Sequence, residues 1–167
     1  MRKFWMFLAL FGGLSLGAFA QEAASEEVSD EDLKRYAAME VKTSEFVETK
    51  TEELRKMIVE NEIFKGGARY NEIKAAWGDD AKMTEANVTE EEKAAYQAVQ
   101  DFQASLTDTV KEYKTNLIMD EEVLGAGTYN KVLAATKEDP AMKEKLDQLI
   151  SELKSQSEAE KDGDGQN

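Results

Sequence analysis

The apolar positions of this chain form two long ridges at helical spacing, each ended by a glycine corner and followed by a shorter ridge. Leu33, Tyr36, Ala37, Val47, Leu54, Met57 and Ile58 recur near steps of three and four and predict a long helix to about Asn61. Its middle is diluted by Thr43, Ser44, Thr49, Lys50 and Thr51. Ser29-Asp30-Glu31-Asp32 opens it, a capping hydroxyl followed by acids where the helix dipole favours negative charge. Phe64 closes the segment, and Gly66-Gly67 permits the turn. A short helix is expected from about Ala68 to Trp77, with Tyr70, Ile73 and Trp77 on one face and Trp77 largely buried. Gly78-Asp79-Asp80 ends it, and Ala81 to Asn87 has room for another turn or two.

The second ridge is clearer. Thr89-Glu90-Glu91-Glu92 places Thr at the cap and Glu three residues on, the pattern of a capping box. Tyr96, Val99, Phe102, Leu106, Val110, Tyr113, Leu117 and Leu124 then share one helical face, which is expected to carry the core. Leu124-Gly125 brings back the corner, and Thr128 to Lys137 reads as a short helix with Tyr129, Val132 and Leu133 inward. Glu138-Asp139-Pro140 restarts the helix, with Asp139 as cap and the sole Pro at the first helical position. Met142, Leu146, Leu149, Ile150 and Leu153 continue on one face. Residues 156–167 are polar and acidic, and a disordered tail is expected there. No stretch alternates with period two for more than a few residues. The expected class is therefore all-α, a helical bundle of two long and about three short helices.

The two ridges align on each other. Thr89 falls on Ser29, Tyr96 on Tyr36 and Ala98 on Ala38. After a slip of one residue, Leu117 falls on Ile58, Gly125 on Gly66, Tyr129 on Tyr70, Asn130 on Asn71, Val132 on Ile73, Asp139 on Asp80 and Met142 on Met83. This reads as an internal duplication: one domain over residues 29–155, made of repeats 29–88 and 89–155. The second repeat keeps its closing helix and the first truncates it. The corners Gly66, Gly67, Tyr70, Asn71 and Gly125, Gly127, Tyr129, Asn130 are the obvious candidate site. The plainer expectation for them is structural: each Tyr packs on a long helix, and each Asn amide bonds a backbone group near the corner.

The ends and the charge add a compartment. Arg2 and Lys3 precede the apolar run Phe4 to Leu16, and Ala18-Phe19-Ala20 supplies small residues before Gln21. Residues 1–20 thus read as a cleaved signal peptide, followed by a flexible leader over 21–28. The apolar run is short for a membrane span, so no span is expected after cleavage. The product is expected to be exported, periplasmic or secreted. Its net charge would move from −14 to −16, since two cations leave with the signal. Such a chain repels nucleic acid and anionic lipid, and the charge serves solubility.

Thr89-Glu90-Glu91, Tyr96, Leu124, Tyr129-Asn130-Lys131-Val132 and Glu138-Asp139-Pro140-Ala141-Met142 resemble a domain-of-unknown-function family (number 4168) of exported bacterial helical proteins. The resemblance runs from about Thr89 to Leu153 and is faint over Ser29 to Met83, where Pro is absent. Met142 stands where the family has Leu, and Gly125 follows Leu124 rather than preceding it. The resemblance implies a helical fold and export, and it carries over no catalytic residue.

The chemistry available is narrow. The chain has no Cys and no His, which removes disulfides, the commonest metal ligand and every Ser-His or Cys-His arrangement. Carboxylates remain: Asp30-Glu31-Asp32, Asp79-Asp80, Glu90-Glu91-Glu92 and Asp120-Glu121-Glu122. Most lie at expected helix starts and read as caps. Asp162-Gly163-Asp164-Gly165 lacks the closing bidentate Glu of a calcium loop. Asn87-Val88-Thr89 fits a glycosylation acceptor, but Thr89 already serves as a cap. No catalytic, cofactor or metal residue is assigned. The function expected is non-enzymatic, binding or scaffolding an unknown protein partner in the cell envelope. The alternatives are a low-affinity divalent-cation binder and, less favoured, a carboxylate-only hydrolase.

Overall fold

The computed structural model describes residues 27–164, with side chains to residue 161. The expected signal peptide and most of the leader lie outside these residues. Six α-helices follow in order: α1 (Asp30–Val59), α2 (Ala68–Ala76), α3 (Asp80–Glu85), α4 (Glu90–Met119), α5 (Ala126–Glu138) and α6 (Pro140–Asp164). A 3-10 segment, Glu62–Gly67, joins α1 to α2. There is no strand among the described residues, and the class is all-α.

Both long helices start on a complete capping box. The Ser29 hydroxyl accepts from the Asp32 N–H while the Asp32 carboxylate accepts from the Ser29 N–H, and Thr89 and Glu92 repeat the arrangement. The helices run antiparallel. The start of α1 (Leu33) packs with the end of α4 (Ile118), and the end of α1 (Leu54, Ile58) packs with the start of α4 (Ala95, Val99). α6 runs alongside α1 in the same direction, tied by Lys145 to Asp30 and Lys154 to Glu48. α5 packs on α1 and α6, and α2 packs on α4. The short helices thus close the two ends of the long pair, as a unit that cannot bury its apolar face alone requires.

The core is not the single interior that one ridge suggests. It divides into two clusters at opposite ends. One joins Leu33, Tyr36, Ala37 and Met39 of α1 to Ile118, Leu124, Val132 and Leu146. The other joins Phe64, Tyr70 and Ile73 to Tyr96 and Val99. Between them the α4 ridge is less covered than expected: Tyr96, Val99 and Val110 are buried, but Phe102, Leu106, Tyr113 and Leu117 only half-buried. The reason is coverage, because α2 and α5 reach only the two ends of α4. The burden of the core shifts to α1, which has α4, α5 and α6 against it.

The hydroxyls in the polar middle of α1 find local acceptors on their own helix. Thr43, Thr49 and Thr51 each donate to the carbonyl four residues back, at 2.8, 3.0 and 2.8 Å. Phe46 supplies the cross-helix contact by stacking on Tyr113 at 4.0 Å between centroids.

Two further expectations are corrected. α6 stays helical to Asp164, so the tail expected to be disordered from residue 156 is ordered helix as far as that residue. The cause is a partner: Ser157 and Lys161 both reach Glu45 of α1. Trp77 is 36 % exposed rather than largely buried. α2 ends at Ala76, and Trp77 caps it in extended conformation, so helical spacing no longer directs its ring. The ring leans on Tyr96 at 4.4 Å between centroids, tilted by 43°, while its other side meets solvent.

Candidate functional site

The corner residues come together as two aromatic junctions, one at each end of the bundle. Tyr70 of α2 packs on Tyr96 of α4 at 5.2 Å, and Phe64 meets Tyr70 edge-on at 5.4 Å. At the other end Tyr129 of α5 stacks on Tyr36 of α1 at 5.5 Å and 10°. In each case the corner Tyr of one half of the chain meets the long-helix Tyr of the other. Ile73 and Val132, three residues beyond each Tyr, are fully buried beside them.

A charged pair crosses at each junction as well. Arg69 grips Glu92 through Nε at 2.6 Å and Nη2 at 2.9 Å, and also donates to the Ala86 and Asn87 carbonyls. Lys131 lies 2.7 Å from Asp32. Both acids are the third helical residue of a capping box, so each carboxylate serves its helix cap and a cation from the other half of the chain. The Lys131 hydrogen bond holds Asp32 down to about 2, and the Arg69 hydrogen bond does the same for Glu92. Burial opposes both shifts and loses.

The glycines divide by need. Gly67 and Gly125 are buried helix N-caps with φ of 92° and 84°, a region that favours glycine. Gly66 shares that conformation at 73°. Gly67, not Gly66, is therefore the structural counterpart of Gly125, one residue from the sequence alignment. Gly127 lies in the first turn of α5 with ordinary helical backbone and open space around it, and the corner does not depend on it.

The expected role of the two Asn residues is overturned. Asn71 and Asn130 are exposed and make no side-chain hydrogen bond among the described residues. Each follows an inward Tyr by one residue, about 100° round the helix, which turns it to water. Arginines bond backbone instead: Arg35 to the carbonyls of Val123 at 3.1 Å and Glu121 at 2.5 Å, just before Gly125, and Arg69 to those of Ala86 and Asn87, in the turn between α3 and α4 rather than at Gly66-Gly67. Sequence reasoning missed Arg35, Arg69 and Lys131. The available signal was a cation beside each corner Tyr in an acid-rich chain.

Two clefts flank this frame. One of about 440 Å³ runs between α1 and α6, with Ala38, Leu149 and Leu153 at its floor and Glu31, Lys34, Glu152 and Gln156 around it. The other, about 300 Å³, lies between α2 and α3. The acidic triplets are dispersed: Asp30–Asp32 and Glu90–Glu92 occupy the first turns of α1 and α4, at opposite ends. Asp120 caps the end of α4 rather than a helix start, and accepts from the Glu122 N–H. Among the described residues no three His, Cys, Asp or Glu converge on a metal-sized centre, and no helix is long and apolar enough to cross a membrane.

No family model, curated protein or solved structure matches this chain.

Proposed function

We propose that this chain is an exported, non-enzymatic helical protein of the cell envelope, built by duplication of one helix-corner-helix unit, that binds or scaffolds a partner protein. The observation that carries the non-enzymatic reading is how its carboxylates are used. Asp30, Asp32, Glu45, Glu52, Asp79 and Glu92 are all held below the ordinary carboxylate range, each by a hydrogen bond from a cation, a hydroxyl or a backbone N–H. A carboxyl acting as general acid near neutral pH needs the opposite shift, from an apolar pocket or a like charge. These carboxylates work on caps and on ties within and between helices.

Duplication is supported by the crossed tyrosine pairs, the paired capping boxes with their cations, and the buried Ile73 and Val132 at matching places. Export is supported by the residues of the N-terminal segment and by the resemblance over Thr89 to Leu153. Partner binding draws on Trp77, an aromatic residue of the kind enriched at interfaces, held by Tyr96 with much of its ring in solvent.

N-terminal sequencing of the native protein tests export, with Gln21 as the expected first residue; an intact Met1 on the native product would sink it. A hydrolase screen of the processed protein over ester, peptide and glycoside substrates should show no turnover. A photo-crosslinker at position 77, used in the native envelope, should capture one reproducible protein that a crosslinker at exposed Asn130 does not.

A further inference from the structure

We propose that the partner this fold fits most completely is a second copy of itself, through exchange of halves at the connection between α2 and α4. Neither half holds a core alone. The cluster at one end takes Leu33, Tyr36, Ala37 and Met39 from the first half and Ile118, Leu124, Val132 and Leu146 from the second. The cluster at the other end sets Phe64, Tyr70 and Ile73 against Tyr96 and Val99. Among the aromatic pairs of the described residues, only Phe64–Tyr70 lies within one half. The ties Arg69–Glu92, Lys131–Asp32 and Lys114–Glu40 all cross.

The connection adds little to this beyond the Trp77–Tyr96 contact, the packing of Val88 and the Arg69 bonds to the Ala86 and Asn87 carbonyls. α3 has no buried residue, and the segment turns through left-handed backbone at Gly78 (φ 81°) and at Asn87 (φ 50°), a non-glycine residue. Opening these two turns and closing the halves of two chains on each other keeps the contacts of both core clusters and gives up only local ones at the turns. Exchange of this kind is a low-cost route to a two-fold dimer. The closed monomer is held by the tether, whose effective concentration is about 1 mM for a short flexible link. The length and stiffness of residues 77–89, and not the core, therefore set whether the chain is one copy or two.

The test uses the full chain. Isotopically light and heavy protein are unfolded together and refolded at concentrations approaching about 1 mM, then measured by native mass spectrometry. Mixed dimers are expected from joint refolding, and none from mixing chains that are already folded. Only monomers at every concentration would overturn the proposal. So would mixed dimers on simple mixing, since those come from surface association. In a second variant, residues 78–87 are replaced by an alanine-glutamate-lysine sequence that continues α2 into α4. It should be dimeric with a single cooperative urea transition, and a monomer with such a transition overturns the idea. If this variant fails to fold, the refolding of the natural chain decides.

Discussion

Glu92 does two jobs with one carboxylate. It closes the capping box of α4, and it binds the Arg69 guanidinium arriving from α2. The side chains are 13 % and 15 % exposed, so solvent screens the pair only partly. Glu92→Gln keeps the shape and loses the charge, and should lower stability at neutral pH by about 1.5–3 kcal/mol in urea unfolding. Both Glu92 and Asp32 are depressed in the fold, from ordinary values of 4.5 and 3.8 to about 2. Their contribution is therefore fully present above the ordinary values and lost as pH falls toward about 2. Stability should decline over that acid window, and Glu92→Gln should make the decline shallower. A variant with an unchanged acid slope would show that the pair is idle. The two cations at these junctions could be seen in the sequence, but not their targets, because Arg69 and Glu92 are joined by folding across a corner.

At the scale of the element, the glycines give opposite expectations for one substitution. Gly125 caps α5 at φ 84°, and an added Cβ would lie 2.4 Å from Glu121 Oε2. Glu121 can swing away, so what remains is the cost of a backbone at φ 84° and ψ 138° that favours glycine, and Gly125→Ala should destabilise by about 1–3 kcal/mol. Gly127→Ala, only two residues on, should stabilise by about 0.5–1 kcal/mol, since helical backbone and open space receive the methyl. Melting curves of the pair decide it, and equal shifts of one sign would refute the distinction. Periodicity placed these corners well because each coincides with an end of a ridge. It could not separate Gly125 from Gly127, since residue type does not report φ. It misplaced Trp77 for a related reason: helical spacing directs a side chain only while the helix lasts. The last stretch of α6 was unreadable for the opposite reason. Ser157 and Lys161 look like solvent residues, and their value comes from Glu45, far away in the chain. Truncation after Ser155 should reduce helix content and lower thermal stability, more so at low salt where those ties are strongest. An unchanged melting temperature would show that this extension contributes nothing.

For the whole molecule, α1 and α4 look alike in sequence and differ in surroundings. α1 has α6 along its flank. Besides α1, α4 packs chiefly on the short α2 and α5 at its ends, and the six-residue α3 has no buried residue. Ala37 on α1 is fully buried, while Gln97, sixty residues on, is exposed and donates to Asp101 at 2.7 Å. That face of α4 thus meets water. Thr89→Ala and Ser29→Ala should each cost about 1 kcal/mol by removing a cap. The sum of the two should hold in the double variant, because the caps sit at opposite ends and share no partner. A large excess over the sum would show that the ends are coupled through the waist at Phe46 and Tyr113.

What the sequence determined alone is whatever depends on near neighbours: helix starts through Ser29, Thr89 and Pro140, turns at glycine, and which face of each helix is apolar. These follow from backbone sterics, capping and the 3.6-residue period, all of which act within a few residues. What only the tertiary structure decided is which apolar faces are covered, and by what. The interior divides in two, and the corners are tied by arginine and lysine rather than asparagine. Those outcomes depend on where distant elements end in space, because burial and ion pairing are settled by three-dimensional neighbours.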